Sequence, residues 1–277
     1  MATQEEKTLY NHRLEKYQQE IDRLLTREKS VLSLAKKDEA TGSYKLLILA
    51  EDMIYLATIY MAKQKLSVAI LKSKNEDALN EARKALYKSI IYLEEVVSNE
   101  IDVPFSDYKD KLAKIENFSL KDRYYLIKKL GLAIDLVLDA YGDNTKWRWS
   151  FVELKARFAT VAKNIVDLKD ATENGLDPHS PDYETAVFHL RLAKKLLLQA
   201  ADQYREKYEM ATGESTSEDF LRAITYLNAL RRLHLILNER SDAEEIKHKI
   251  DIWQAKLESD AKKRKEKQRR RAIGAAT

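Results

Sequence analysis

Along most of this sequence, apolar side chains return at alternating steps of four and three residues. Tyr10, Leu14, Tyr17, Ile21, Leu24, Val31 and Ala35 form one such series, interrupted only at Glu28. Trp147, Phe151, Leu154, Phe158, Val161, Ile165 and Leu168 form the cleanest. An α-helix places residues at that spacing on one side, whereas a strand needs a period of two. The spacing therefore predicts long helices paired along seams. Turn residues agree. Six glycines and three prolines in 277 residues are too few for the many turns of a β fold.

Start and stop signals divide the pattern. The first helix is expected over 4–38, ending near Thr41, Gly42 and Ser43. The second, over 44–73, is apolar on most of its circumference, so it should be the central strut of the N-terminal half. Its most apolar stretch is broken by Glu51, Asp52, Lys63, Gln64 and Lys65, so it reads as a buried helix and not as a membrane span. Asn75 can cap a helix over 76–99, and Pro104 marks a loop at 101–105. Ser106 can cap a short helix to about 117, and Ser119 with Asp122 starts one over 120–141. Gly131 falls in that helix's apolar stripe, a place where a neighbouring helix can cross closely. Residues 142–145 read as a turn, and a single helix is expected over 146–174. The next spans 181–211, stops at Gly213 and has Lys194 as the one lapse in its seam. Ser217 opens a helix to about 238, and Ser241 with Glu244 is a capping box for the last.

Short connections make sequential helices antiparallel neighbours. The expected fold is therefore all-α: an elongated antiparallel bundle of stacked helical hairpins, about nine helices. The expected division is an N-terminal bundle over 1–105, a hairpin stack over 106–260 and a basic tail over 261–277, disordered or a frayed helix end.

Two segments, WRWSFVELKARFATVAKNIVDLK (147–169) and FLRAITYLNALRRLHLILNER (220–240), resemble uncharacterised long-helix proteins of spirochaete bacteria. Those bacteria also build all-helical proteins around their flagella, so the resemblance implies a structural role, in a flagellar-type assembly, and carries no functional residue. The hairpin at 217–257, with Ala223, Tyr226 and Leu227 followed by Ala243, Ile246 and Ile250, loosely resembles a tetratricopeptide pair, without that repeat's proline and glycine marks.

The residues offer little for catalysis. There is no cysteine, which excludes disulfides and thiolate chemistry. No glycine-rich phosphate loop and no nucleophile elbow occurs. Glu245 and His248 have the Glu-x-x-His spacing of di-iron bundles, but the motif needs a second copy and two more carboxylates. His234 lies beside Leu233 and Leu235 and reads as a hydrogen-bonded core histidine. The pairs Glu51–Asp52 and Glu94–Glu95 cannot face each other on a helix, so they read as neutralised or exposed. No enzyme activity, cofactor or metal is expected.

Binding has better candidates. Trp149 departs from the seam side of its helix and, with Arg148, has the residue types of an interface anchor. Seven seam tyrosines, Tyr10, Tyr17, Tyr124, Tyr141, Tyr183, Tyr204 and Tyr208, can pack their rings and keep their hydroxyls wet. The chain's net charge of +4 hides a split. Lys262, Lys263, Arg264, Lys265, Lys267, Arg269, Arg270 and Arg271 crowd the tail, leaving the remainder net acidic. That tail is the candidate site for nucleic-acid phosphate or an anionic surface. The expected partner is a protein or a second copy of the chain, with nucleic acid as the alternative. The first residues lack the pattern of a signal peptide, so a cytoplasmic location is expected.

Overall fold

The computed structural model describes residues 3–38, 41–142, 145–210 and 217–274, with side chains described to 266. These residues form ten α-helices and one 3-10 turn and contain no strand. The fold is all-α. The helices are α1 (Gln4–Ala35), α2 (Gly42–Leu71), α3 (Glu76–Val96), α4 (Lys109–Ala113), α5 (Leu120–Tyr141), α6 (Arg148–Asn164), α7 (Leu168–Leu176), α8 (Tyr183–Met210), α9 (Ser217–Ile236) and α10 (Arg240–Gly274). The expected stop at Gly213 and the turn residues Asp143 and Asn144 lie outside the described residues.

Contacts gather the chain into two compact units. One comprises 1–100 with 104–192, the other 101–103 with 193–277. Their divide falls inside α8.

In the first unit α2 is the strut, packed against α1, α3 and α5. Its buried face includes Leu49, Ala50, Met53, Leu56, Ala57 and Met61. Desolvation of that many apolar side chains is what draws the other helices onto it. Two caps form as the residues suggest, whereas Ser106 lies inside the 3-10 turn Phe105–Asp107 and α4 starts only at Lys109, without a side-chain cap. Asn75 accepts from the Ala78 amide at 2.9 Å, and Ser119 accepts from the Asp122 amide at 3.1 Å. Gly142 ends α5 with φ +80°, a conformation that favours glycine.

The lapse at Glu28 is buried and paired. Lys88 of α3 donates to both Glu28 carboxylate oxygens at 2.9 Å, and the Tyr92 hydroxyl donates to one of them. Burial, then the neighbouring carboxylate, pushes the Tyr92 phenol well above its ordinary range. The close crossing at Gly131 is present too. A Cβ there would lie 3.1 Å from the Phe158 ring of α6.

The expected helix over 146–174 is two helices. α6 begins at Arg148 and ends at Asn164, whose side-chain amide donates to the Ser98 and Glu100 carbonyls. The buried guanidinium of Arg123 donates to the Ile165 carbonyl at 3.3 Å and to those of Phe118 and Ile115. Asp167 then caps α7 through the Lys169 and Asp170 amides. At the break a distant guanidinium thus meets the Ile165 carbonyl, and the local Asp167 meets the first amides of α7. All seam residues from Phe151 to Leu168 are nevertheless buried.

In the second unit α9 and α10 form a hairpin, and the last turns of α8 join it through stacked rings. Tyr208 lies on Phe220 at 4.7 Å between centroids, Phe220 on Trp253 at 5.7 Å, and Tyr204 on Tyr226 at 5.9 Å. Ser241 does not cap α10, which starts one residue earlier at Arg240. The Ala243 amide donates to the Glu239 carbonyl, which places Glu239 at the cap. α10 continues to Gly274, since lysine, arginine and glutamine sustain a helix and no glycine or proline intervenes.

Gly131→Leu should overpack the α5–α6 crossing and destabilise the fold by about 1 to 3 kcal/mol. Combining it with Phe158→Ala should recover part of that loss, measured as a double-mutant cycle in thermal unfolding. Strict additivity would mean that the two sites do not touch.

Candidate interaction surface

Much of the ionisable chemistry within the helices holds one helix to another. Arg157 of α6 grips Glu94 of α3 through two nitrogens, Nε lying 2.8 Å from Oε1 and Nη2 bonding Oε2. Glu95 is exposed. Glu51 pairs with Lys129 of α5 at 2.8 Å, and Asp52 lies 3.2 Å from Arg27 of α1. Burial raises the Asp52 pKa, against the pull of Arg27 and Arg23. Each acidic pair is therefore split between two directions, each toward its own cation where it has one.

The Lys194 lapse in α8 is of the same kind. Its ammonium meets both Glu239 oxygens at 2.7 and 2.9 Å. His234 Nδ1 lies 2.6 Å from Glu239, so that histidine is hydrogen-bonded as the sequence suggests. Burial pushes the Glu239 carboxyl up, but the bonds from Lys194 and His234 outweigh it and hold the group below its ordinary value. His234, Glu239 and Asp242 lie close enough to share one ion. Lys194 already supplies the positive charge at that carboxylate. Glu245 and His248 are both exposed on α10.

Trp149 and Arg148 lie in the first turn of α6. Trp149 is half-buried, with the Arg148 guanidinium 5.0 Å from its ring centroid. Trp147 sits at the cap position and not inside the helix; it is only half-buried, with the Arg83 guanidinium 4.0 Å over its ring. In the tail, Lys262, Lys263 and Lys265 are exposed on α10. Arg264, exposed as well, lies 5.5 Å from the Tyr208 ring and 3.3 Å from its hydroxyl. The side chains of Lys267, Arg269, Arg270 and Arg271 lie outside the described residues.

The structure adds a surface absent from the sequence reading. Between α2 and α5 runs an open groove of about 540 Å³, lined by Ile54, Tyr55, Thr58, Leu132, Ala133 and Leu136, with Glu51, Asp52 and Lys129 at its edge. Tyr55 is 50% exposed and Leu132 63%. A helix as apolar as α2 gives no periodic signal for which side stays open. The long range of Glu51 to Lys129 joins two helices that the sequence separates by 78 residues.

His189 was equally silent. It is fully buried in the first unit, its Nε2 lying 3.1 Å from the Ala162 carbonyl and its ring 5.8 Å from that of Tyr124. Its Nδ1 is buried without a hydrogen-bond partner. Burial pulls its pKa down to about 4.

Fold and surface together define a class: an all-helical protein in which, among the described residues, no helix is long and apolar enough to cross a membrane. Residues 6–261 match the TP0443 family, and the chain belongs to that family, which carries a spirochaete (Treponema) name. The tetratricopeptide likeness finds no support. Among curated proteins none matches the chain.

The folded protein keeps His189 neutral where the unfolded chain protonates it. Stability is therefore complete above the ordinary value of 6.5 and is lost as pH falls towards about 4. Thermal unfolding between pH 6.5 and 5 should show a loss on the order of 2 kcal/mol. His189→Gln, which can still donate to Ala162, should flatten that slope. An unchanged slope would assign the pH dependence elsewhere.

Proposed function

We propose that this protein is a non-catalytic structural or adaptor protein of the cytoplasm that presents helical faces to another protein or to itself. The observation that carries the reading is the α2–α5 groove, where Tyr55 and Leu132 stand half-exposed or more. Exposed apolar surface rimmed by charge is characteristic of interaction sites. The pairing of Glu28, Glu94 and Glu239 with cations on other helices supports it further, because these carboxylates serve packing. Half-buried Trp149 beside Arg148 is a second anchor, and membership of a spirochaete-named family fits a role in a bacterial assembly of flagellar type.

A photo-crosslinking residue placed at Tyr55, Leu132 or Trp149 in the native cell should give a discrete protein adduct. The same residue at exposed Lys16 on α1 should not. Equal, diffuse labelling at all four positions would sink the reading. Trp149→Ala should leave the melting temperature almost unchanged while weakening the captured contact. A large drop in melting temperature would make Trp149 a packing residue only.

A second reading rests on the helical course of α10 through the basic segment, which holds Lys262, Lys263 and Lys265 in solvent. A helix carrying so many cations can neutralise the phosphates of nucleic acid. Affinity for DNA or RNA should then fall steeply with salt, as counterions compete. Removal of the residues after Asp260 should abolish it. Binding that is insensitive to salt would overturn this second reading.

A further inference from the structure

The outward face of α5 carries a pattern of its own. Lys121, Tyr125, Lys128, Leu132, Asp135 and Asp139 recur at steps of four and three, and all six are exposed. They form one continuous exposed stripe along the helix, at the spacing of a seam. Its charge is ordered: cations precede Leu132 and anions follow it. Read in the opposite direction, the middle of the stripe is its own complement, and Tyr125 comes opposite Asp139. A second copy laid antiparallel, centred on Leu132, sets Lys128 against Asp135 on both sides of the centre. A parallel copy would set like charges against like.

The neighbouring helix is compatible with the same arrangement. Lys129 meets Glu51 at 2.8 Å, so α2 and α5 are in register there, and Tyr55 and Leu132 line one groove. A two-fold axis crossing both helices at that level brings Leu132 onto Leu132 and Tyr55 onto Tyr55. The two most exposed apolar side chains of the groove then lie at the centre of the contact, and the charges lie at its rim. A two-fold contact requires a self-complementary patch of this kind. Asp135 also pairs with Lys155 at 3.2 Å but remains 64% exposed, open to a second cation.

We propose that two copies of this chain associate face to face through α2 and α5, with the α5 helices antiparallel and Lys128 of each copy paired with Asp135 of the other. The inference rests on the adaptor reading and specifies one of its partners as the chain itself.

Charge reversal tests the register. Sedimentation equilibrium of the full chain should give a dimer. Leu132→Glu should give a monomer with an unchanged circular dichroism spectrum, since that side chain is exposed. Lys128→Asp or Asp135→Lys alone should weaken association at least about tenfold, because each places like charges together twice. Mixing the two single variants should restore a dimer containing one chain of each kind, since every pair is then opposite in sign. The double variant Lys128→Asp with Asp135→Lys should recover dimerisation by itself. A monomeric native chain, or single variants that associate like the native chain, would overturn the inference. Discrete crosslinks from Tyr55 or Leu132 to a different protein, with a monomeric chain, would overturn it while sustaining the adaptor reading. Failure of both would remove the common premise that this face is an interface.

Discussion

The fold of the first unit depends on one constraint, the desolvation of α2. That helix buries apolar side chains on nearly every side, so it cannot exist in water without neighbours. α1, α3 and α5 are those neighbours, and each brings an apolar seam of its own. Where a seam carries a charge, the charge is met. Glu28 faces Lys88 and Tyr92, and Glu94 faces Arg157. A buried pair of this sort returns little net stability after desolvation, but removing one partner leaves a costly orphan. Such pairs therefore select which helix faces which, and at what register, while the apolar seams supply the drive.

The same division explains what the sequence makes legible. Seams and caps are local, since they depend on residues three or four apart. The helices α1, α2, α3 and α5, the Asn75 and Ser119 caps and the crossing at Gly131 all follow from such neighbours. The break between α6 and α7 does not. It needs Asn164 to reach Ser98 and Glu100, and Arg123 to reach Ile165. Nothing within 147–169 announces either contact, because the apolar spacing runs on unbroken through Ile165 and Leu168. The α10 start is another instance. Ser241 and Glu244 have the right spacing for a cap, but Glu239 is held by Lys194 and His234 and the helix begins behind it.

The surfaces follow a similar rule. Trp149 could be seen to leave its seam, and it is half-buried beside Arg148. The α2–α5 groove could not be seen, because an evenly apolar helix has no preferred side in its sequence alone. His189 was hidden for the opposite reason. It occupies a seam-like position in α8, and only the arrival of Ala162 and Tyr124 makes it a buried imidazole.

α5 is where these strands meet. Its inner side is committed: Gly131 admits Phe158, Arg123 binds three carbonyls, and Leu126, Leu130 and Val137 are buried. Its outer side repeats the seam spacing with residues that are exposed. On that side Leu132 stands between cations and anions segregated along the helix, with Tyr125 seven residues before it. Random surface charge would mix the signs, and a purely soluble face would carry polar residues at the central positions. Helices built on seams bury one side by folding, and a second seam is buried only by association. In this chain the physics that assembles the bundle is the same physics that leaves the outer side of α5 to association.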